Sequence, residues 1–377
     1  MFAIVAGSYE KLLYGLRPEL SADKTRPGPT LKPFFIFPAH HSCIKAIAAS
    51  PGGKWLATGA TDEVIKIWDL RRRKEVGGLV QHDGSITYLD FPTRSHLVSA
   101  SEDGTICLFH ARDWSVLRIL KGHKTRINCV AVHPSSKLAL SVGKDRTLRM
   151  WDLMRGKGSA STKIGKEGEI IRWSRSGQLF ALTSQTTLDI FKTDMTLLST
   201  VTHKTRLHDI RFAPRPTGAG ELLLVAAEDK TVLIYAIDGA SATADGEPAP
   251  PQLLAKLTGH GNRVKAIDVH VVESTYNAQS RIVYVCSASS DGFIRLFDLG
   301  NVPKSVTPNE EPLAIECISS YDTKGTRLTC VRFADAEGTD GEEGVEEDDH
   351  GDAKKPRPEG EQEQDEEIEE QEDESDS

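Results

Sequence analysis

The sequence is poor in the features that define several protein classes. It holds six cysteines in 377 residues (Cys43, Cys107, Cys129, Cys286, Cys317 and Cys330), with no C-x-x-C pair. A zinc module needs tighter spacing than this. Several of these cysteines fall in strand-like apolar runs, where a reduced thiol acts as a small hydrophobe, so a reducing, intracellular compartment is expected. No apolar run approaches the roughly 18–20 residues that cross a bilayer, so no membrane partner is expected. The N-terminus reaches Glu10-Lys11 before an apolar stretch long enough for a secretory leader develops. There is no G-x-G-x-x-G opening a helix, no G-x-x-x-x-G-K-[ST], no H-E-x-x-H and no EF-hand ligand series. Neither a cofactor nor a metal nor a catalytic activity is expected.

Charge is present but unevenly placed. The formal net charge is −9. From Ala336 to Ser377 there are 21 acidic and 3 basic side chains, which leaves the first 335 residues with 43 basic and 34 acidic ones. A basic body of residues 1–335 is followed by an acidic segment, 336–377. That segment has one valine, one isoleucine and no aromatic residue, so it cannot offset the entropy of ordering and is expected to be a disordered tail. Within it, Lys354-Lys355-Pro356-Arg357 matches the pattern of a short nuclear import signal. The acidic tail is also suited to screening the basic body until a stronger polyanion competes.

What the sequence has in abundance is repetition. Ile44–Asp69, Ile86–Phe109 and Ile127–Asp152 superpose as alternating apolar and polar runs punctuated by Pro-Gly, Asp-Gly or Ser-rich turns. Looser copies run from Glu169 to Phe191, His203 to Tyr235 and Gly259 to Asp298. The spacing of about 40 residues, with Gly-His and Trp-Asp marks, resembles WD40 repeats of four strands each. Six repeats leave orphan strands at both ends: Arg327–Phe333, and Phe2–Gly7, Lys11–Leu16 and Pro33–Phe37. Joined, these complete a seventh blade, and closure buries the two faces that an open stack would leave bare. The fold expected is therefore all-β, a single seven-bladed propeller sealed by both termini; six blades with the ends packed elsewhere is the alternative. Ser21–Lys32, Gly239–Pro251 and Gly300–Pro312 are expected as loops between the third and fourth strands of their blades, on one rim.

Recurring His and Asp residues, with hydroxyls nearby, imitate hydrolase triads. They comprise His40 or His41, His82, His123, His203 and His260, with Asp62, Asp103, Asp145, Asp229 and Asp291. The resemblance to WD40 proteins implies instead a buried hydrogen-bond chain inside each blade, complete as Asp145–His123–Ser141–Trp151. Thr58 and Trp68, Ser99, and Ser287 hold corresponding places. A catalytic site has no reason to recur in near-copies, whereas mutual satisfaction of buried polar groups does.

Two basic features are candidate binding surfaces. Arg71-Arg72-Arg73-Lys74 follows Trp68-Asp69-Leu70 in a turn, and reads either as a solvated turn or as a grip for phosphates. Arg126, Arg206, Arg263 and Arg327 each precede the innermost strand of their repeat, where a ring around the top mouth of the channel is expected, with Cys43, Ser85 and Glu169 in the same place elsewhere. Such a ring suits an acidic peptide or an RNA backbone.

More specific marks are Val5-Ala-Gly-Ser-Tyr-Glu10, Gly78-Leu-Val-Gln-His82, His133 to Gly143 and Ser287 to Ile294. On these the chain resembles the p21-activated kinase-interacting WD-repeat proteins, whose yeast relative is a killer-maintenance factor of large-subunit assembly. The resemblance implies a nuclear and nucleolar, non-enzymatic scaffold in ribosome biogenesis. Its expected partners are pre-60S ribosomal proteins and assembly factors and the pre-rRNA backbone, with the protein a monomer within a larger particle engaged in rRNA processing. It equally implies a negative regulator that binds a p21-activated kinase. A substrate receptor of a ubiquitin ligase is a further alternative.

Overall fold

The computed structural model describes residues 2–20, 28–237, 251–273, 281–307 and 310–335. Among the described residues there is no helix, hence none long and apolar enough to cross a membrane. The short alternating runs become strands, and the Gly- and Asp-rich punctuation becomes the turns between them. Strands β1 (Phe2–Ser8), β2 (Leu12–Leu20) and β3 (Pro29–Pro38) come first in the chain. Blade one is β4 (Ile44–Ala49), β5 (Trp55–Ala60), β6 (Ile65–Asp69) and β7 (Lys74–Leu79). Blade two is β8 (Ile86–Thr93), β9 (His96–Ser101), β10 (Thr105–His110) and β11 (Val116–Lys121). Blade three is β12 (Ile127–Val132), β13 (Leu138–Gly143), β14 (Thr147–Asp152) and β15 (Lys157–Lys163). Blade four is β16 (Ile170–Trp173), β17 (Leu179–Ser184), β18 (Thr187–Lys192) and β19 (Leu197–Thr202). Blade five starts with β20 (Leu207–Pro214), β21 (Glu221–Ala227), β22 (Val232–Ala236) and β23 (Gln252–Leu257). Blade six contains β24 (Val264–Glu273), β25 (Arg281–Ser289) and β26 (Phe293–Asp298), and the chain ends through β27 (Leu313–Ile315), β28 (Ser319–Asp322) and β29 (Leu328–Asp335).

The ring closes as expected. The seventh sheet has the order β29-β1-β2-β3, with antiparallel pairing from Phe2↔Asp335 to Ser8↔Leu328. Every residue of β1 is buried. Apolar clusters lie between successive blades all the way round, including one that packs Val5 and Leu13 of blade seven on Ile44, Leu56 and Trp68 of blade one. The last strand is pinned at its far end: Asp335 accepts a hydrogen bond from Gly52 N at 2.9 Å. A Cβ on Gly53 (φ +66°) would lie 1.6 Å from Asp335 O, so only glycine admits the terminal strand there.

In six blades the outermost strand carries a β-bulge opposite the end of the third strand. The extra residues are Phe34, Val76, Leu117, Ser159, Leu198 and Leu254, and each twists its strand outward. Blade six is the exception, and here the expectation for Gly300–Pro312 needs a correction. That segment does not lead straight into the fourth strand. It leads into β27, which leaves blade six and pairs in parallel with β23 as a fifth strand of blade five. Only then does β28 complete blade six. The apolar side chain Ile315 draws β27 there by joining the core between blades five and six.

Ser21–Lys32 is also shorter as a loop than expected. β2 and β3 extend to Leu20 and Pro29, because Arg17–Lys32 and Glu19–Thr30 continue the ladder. Most of Gly239–Pro251, and all of the acidic segment 336–377 with its Lys354–Arg357 motif, lie outside the described residues.

Candidate functional site

The His and Asp residues are structural connectors. In blade three His123 Nδ1 meets Asp145 at 2.9 Å and Nε2 meets Ser141 Oγ at 2.7 Å, and Trp151 Nε1 donates to the same hydroxyl at 2.8 Å. Blade one has the same complete set: His40 with Asp62 at 3.1 Å and Thr58 at 2.8 Å, and Trp68 Nε1 donating to Thr58 at 2.9 Å. His40, not His41, fills the position; His41 contributes its backbone N–H to Asp62. In blade two His82 bonds Asp103 at 2.8 Å and Ser99 at 2.7 Å, with Phe109 in place of tryptophan. Burial lowers the pKa of His40 and of His123 despite their aspartates. Burial also opposes ionisation of Asp103, yet hydrogen bonds from His82 and Thr105 outweigh it and hold this carboxyl at about 2.

Three later blades depart from the pattern, and the sequence expectation is corrected for two of them. In blade five His203 and Asp229 do not hydrogen-bond to each other. Val225 stands where Ser141 stands in blade three, so His203 Nε2 is left with no partner. In blade six Arg295 inserts between the two groups. Its Nη1 lies 3.0 Å from His260 Nδ1 and 3.0 Å from Asp291 Oδ2, and His260 keeps only a 3.3 Å contact with Ser287. Burial, then the adjacent guanidinium, push His260 down to about 4. Blade four, which lacks both marks, substitutes a salt bridge: Lys166 Nζ lies 2.6 Å from buried Asp189, which also accepts from Thr200 at 2.7 Å. A contrast follows between blades. His123→Leu breaks two satisfied bonds and is expected to cost about 2 kcal/mol or more, whereas His203→Leu should cost less than about 0.5 kcal/mol. Equal losses in chemical denaturation would contradict this account.

The channel holds a charge network that spacing and motif alone do not show. The seven innermost strands line a cavity of about 160 Å³. Asp209 accepts backbone N–H bonds from Ile210 at 3.0 Å and Ile267 at 3.1 Å, and faces Arg172 at 3.4 Å and Arg211 at 3.8 Å. Arg211 reaches on to Asp268 at 3.1 Å, and Arg332 meets the same carboxylate at 3.5 Å. Blades four to seven are thus tied across the channel by alternating charges. Burial raises the Asp268 carboxyl to about 6 against the pull of Arg211. The sequence signal was a charged residue at the fifth position of the innermost strand, as in Asp90, Arg211, Asp268 and Arg332, or at the third, as in Arg172 and Asp209, which a repeat-based reading passes over.

The expected cationic ring at the top mouth is largely neutralised. Arg126 pairs with Glu102 of blade two at 3.6 Å, Arg263 with Glu228 of blade five at 3.6 Å, and Arg206 with Glu169 at 2.6 Å. Arg327 instead lies 6.0 Å above the exposed Tyr9 ring. Glu169 is not at the arginine position of its blade. The register of β16 puts it level with Asn128, two residues further in, where it meets Arg206. Arg126, Arg206, Lys45, Lys144 and the acids Glu102, Glu167 and Glu169 line a depression of about 550 Å³. Burial together with neighbouring cations lowers His208 to about 4 and also lowers Lys265. Arg71, Arg72 and Arg73 in the turn between β6 and β7, and Lys74 at the start of β7, are all exposed on the opposite rim. Among the described residues no three His, Cys, Asp or Glu side chains converge as metal ligands.

Comparison with known proteins follows the blade pattern. The WD domain, G-beta repeat model matches residues 31–69, 73–110, 114–152 and 251–298. Each match begins in the outer strand of one blade and ends in the third strand of the next. The blades left out, four, five and seven, lack the complete His–Asp connection, and blade six is matched although Arg295 interrupts its own. The chain is 32% identical over 326 residues to the chicken p21-activated protein kinase-interacting protein 1-like, covering 84% of this chain and 80% of that protein. It is 30% identical to Protein MAK11 of Saccharomyces cerevisiae, covering 94% and 91%. It is 31% identical to Shk1 kinase-binding protein 15 of Schizosaccharomyces pombe, covering 79% and 78%.

Proposed function

The chain belongs to the family of p21-activated kinase-interacting WD-repeat proteins, and from that premise we propose that it is a non-enzymatic scaffold in assembly of the large ribosomal subunit, acting in the nucleolus on pre-60S particles during rRNA processing. The observation that carries the scaffold reading is the disposal of every His–Asp–hydroxyl constellation found: each is either bonded within its blade or, like His203, makes no bond to its aspartate. What is left for function is the exterior of a rigid closed ring, which holds several partners in fixed geometry at little conformational cost. The 60S assignment rests on the resemblance of the sequence to a family with a yeast member of large-subunit assembly, and on the basic body, suited to particles rich in RNA phosphate.

A second reading has its own support, since vertebrate and fission-yeast relatives are named for binding p21-activated or Shk1 kinase. Under it the chain binds and restrains such a kinase. Gradient sedimentation separates the two. A pre-60S scaffold migrates with large-subunit precursors, and its depletion lowers 60S relative to 40S subunits. A chain that stays at the top of the gradient and leaves the subunit ratio unchanged while retaining kinase would defeat the ribosomal reading.

A further inference from the structure

We propose that the outer surface where blade seven meets blade one binds single-stranded RNA, using the guanidinium groups of Arg17, Arg72 and Arg73, the Lys74 ammonium and the Phe34 ring. This names a partner for the scaffold and rests on the ribosomal reading above.

The turn between β6 and β7 is fixed from within. Asp69 Oδ1 accepts from the backbone N–H of both Arg71 and Arg72 at 2.9 Å, and Leu70 N donates to Lys54 O at 3.0 Å. Arg73 takes the left-handed conformation (φ +53°) that finishes the turn. With the backbone occupied, the side chains project outward, and that of Arg72 is 84% exposed. Arg73 and Lys74 have no acidic partner among the described residues, and Arg72 has only a 3.9 Å contact with Asp69. The contrast with the channel mouth is direct: there Arg126, Arg206 and Arg263 each face a glutamate.

The second component comes from the pair formed by β2 and β3. Phe34 is the extra residue of the β2–β3 bulge, which lifts it out of the ladder. Arg17 lies 4.4 Å from its ring centre, and Arg73, from the neighbouring blade, lies 5.5 Å away. The ring is backed by a row of aromatic contacts: Phe35 edge-on at 4.6 Å, then Phe37 and then Trp68 of the complete connection in blade one, both tilted. The result is a rigid aromatic platform carrying guanidinium planes beside a line of cations. Cations that follow a backbone, next to flat groups on which bases stack, are the two elements of single-strand recognition. An acidic peptide would use the cations and leave the stack idle.

Fluorescence anisotropy with the full chain and a labelled single strand of about 20 nucleotides tests this. Arg72→Glu combined with Lys74→Glu should weaken binding at least about tenfold near 50 mM salt, and should flatten the slope of log K against log salt by about 0.7 for every phosphate left without its cation. Phe34→Leu, which keeps an apolar filling but removes the ring, should weaken the single strand about fivefold or more and leave a duplex of equal length unaffected. Thermal melts of both variants should match the parent. Unchanged RNA affinity in the charge variant overturns the proposal. So does an equal loss for a polyglutamate peptide together with no effect of Phe34→Leu, which would give the surface to an acidic protein. If the parent binds RNA through this surface yet fails to sediment with pre-60S particles, the ribosomal reading fails and the RNA site stands.

Discussion

Removal of Phe2–Ser8 should abolish cooperative unfolding altogether. β1 is hydrogen-bonded on one side to β29 and on the other to β2, so its loss strands the innermost strand of blade seven and opens the ring between blades six and one. Phe2, Ile4 and Val5 are buried on both faces of the sheet. Side chains of that size contribute about 1.5–3 kcal/mol each, and the exposed faces of two neighbouring blades add to the loss. Set against a typical stability of about 5–15 kcal/mol, the deletion exceeds what the fold can absorb. Ile4→Ala gives the graded version, with an expected cost of about 2–5 kcal/mol. Circular dichroism melts and denaturant titration read both effects. A truncated chain that still melts in a single sharp transition near the parent's would show that the ring does not depend on its terminal seam.

The second large effect is expected at Asp209. Its carboxylate accepts two backbone N–H bonds and faces two buried guanidinium groups. Asp209→Ala leaves Arg172 without an acidic partner among the described residues and Arg211 with Asp268 alone, in a cavity of about 160 Å³ shared by all seven inner strands. Breaking one partner of a buried pair costs about 3–5 kcal/mol, because the remaining charge is uncompensated. Replacing the whole set with apolar residues of similar volume would be far milder, since burying charges has its own desolvation cost. The decisive comparison is Asp209→Ala against the double change that also converts Arg172 to Met, since Arg211 keeps Asp268 as its partner. If the single substitution costs under about 1 kcal/mol, the network is ornamental to stability and the seven blades are held by their apolar interfaces alone.

How far the chain could be read before its coordinates depended on how local each feature is. Blades one to three were legible because the His before the inner strand and the turn Asp fall at fixed offsets within one repeat, with Trp-Asp added in blades one and three, and His123, Ser141, Asp145 and Trp151 meet as that spacing requires. Blade seven was legible for a different reason: two unmatched sets of strands, one at each end, have no other way to bury their apolar faces. His203 and His260 were misjudged because their surroundings are decided by residues outside the motif. Val225 withholds a hydroxyl from one, and Arg295 inserts a guanidinium beside the other. The arginines before the inner strands were placed at the channel mouth, but their neutralisation by Glu102, Glu169 and Glu228 comes from other blades.

The order of residues along the chain was enough to set the β-only character, the number of blades and the pairing of both chain ends, since these follow from alternation, turn residues and the need to cover apolar faces. The charge ties across the channel, the migration of β27 to blade five and the meeting of Phe34 with Arg73 arise only on folding. Each joins residues from different blades, and the distance between blades around a ring is set by packing angles that no single repeat encodes.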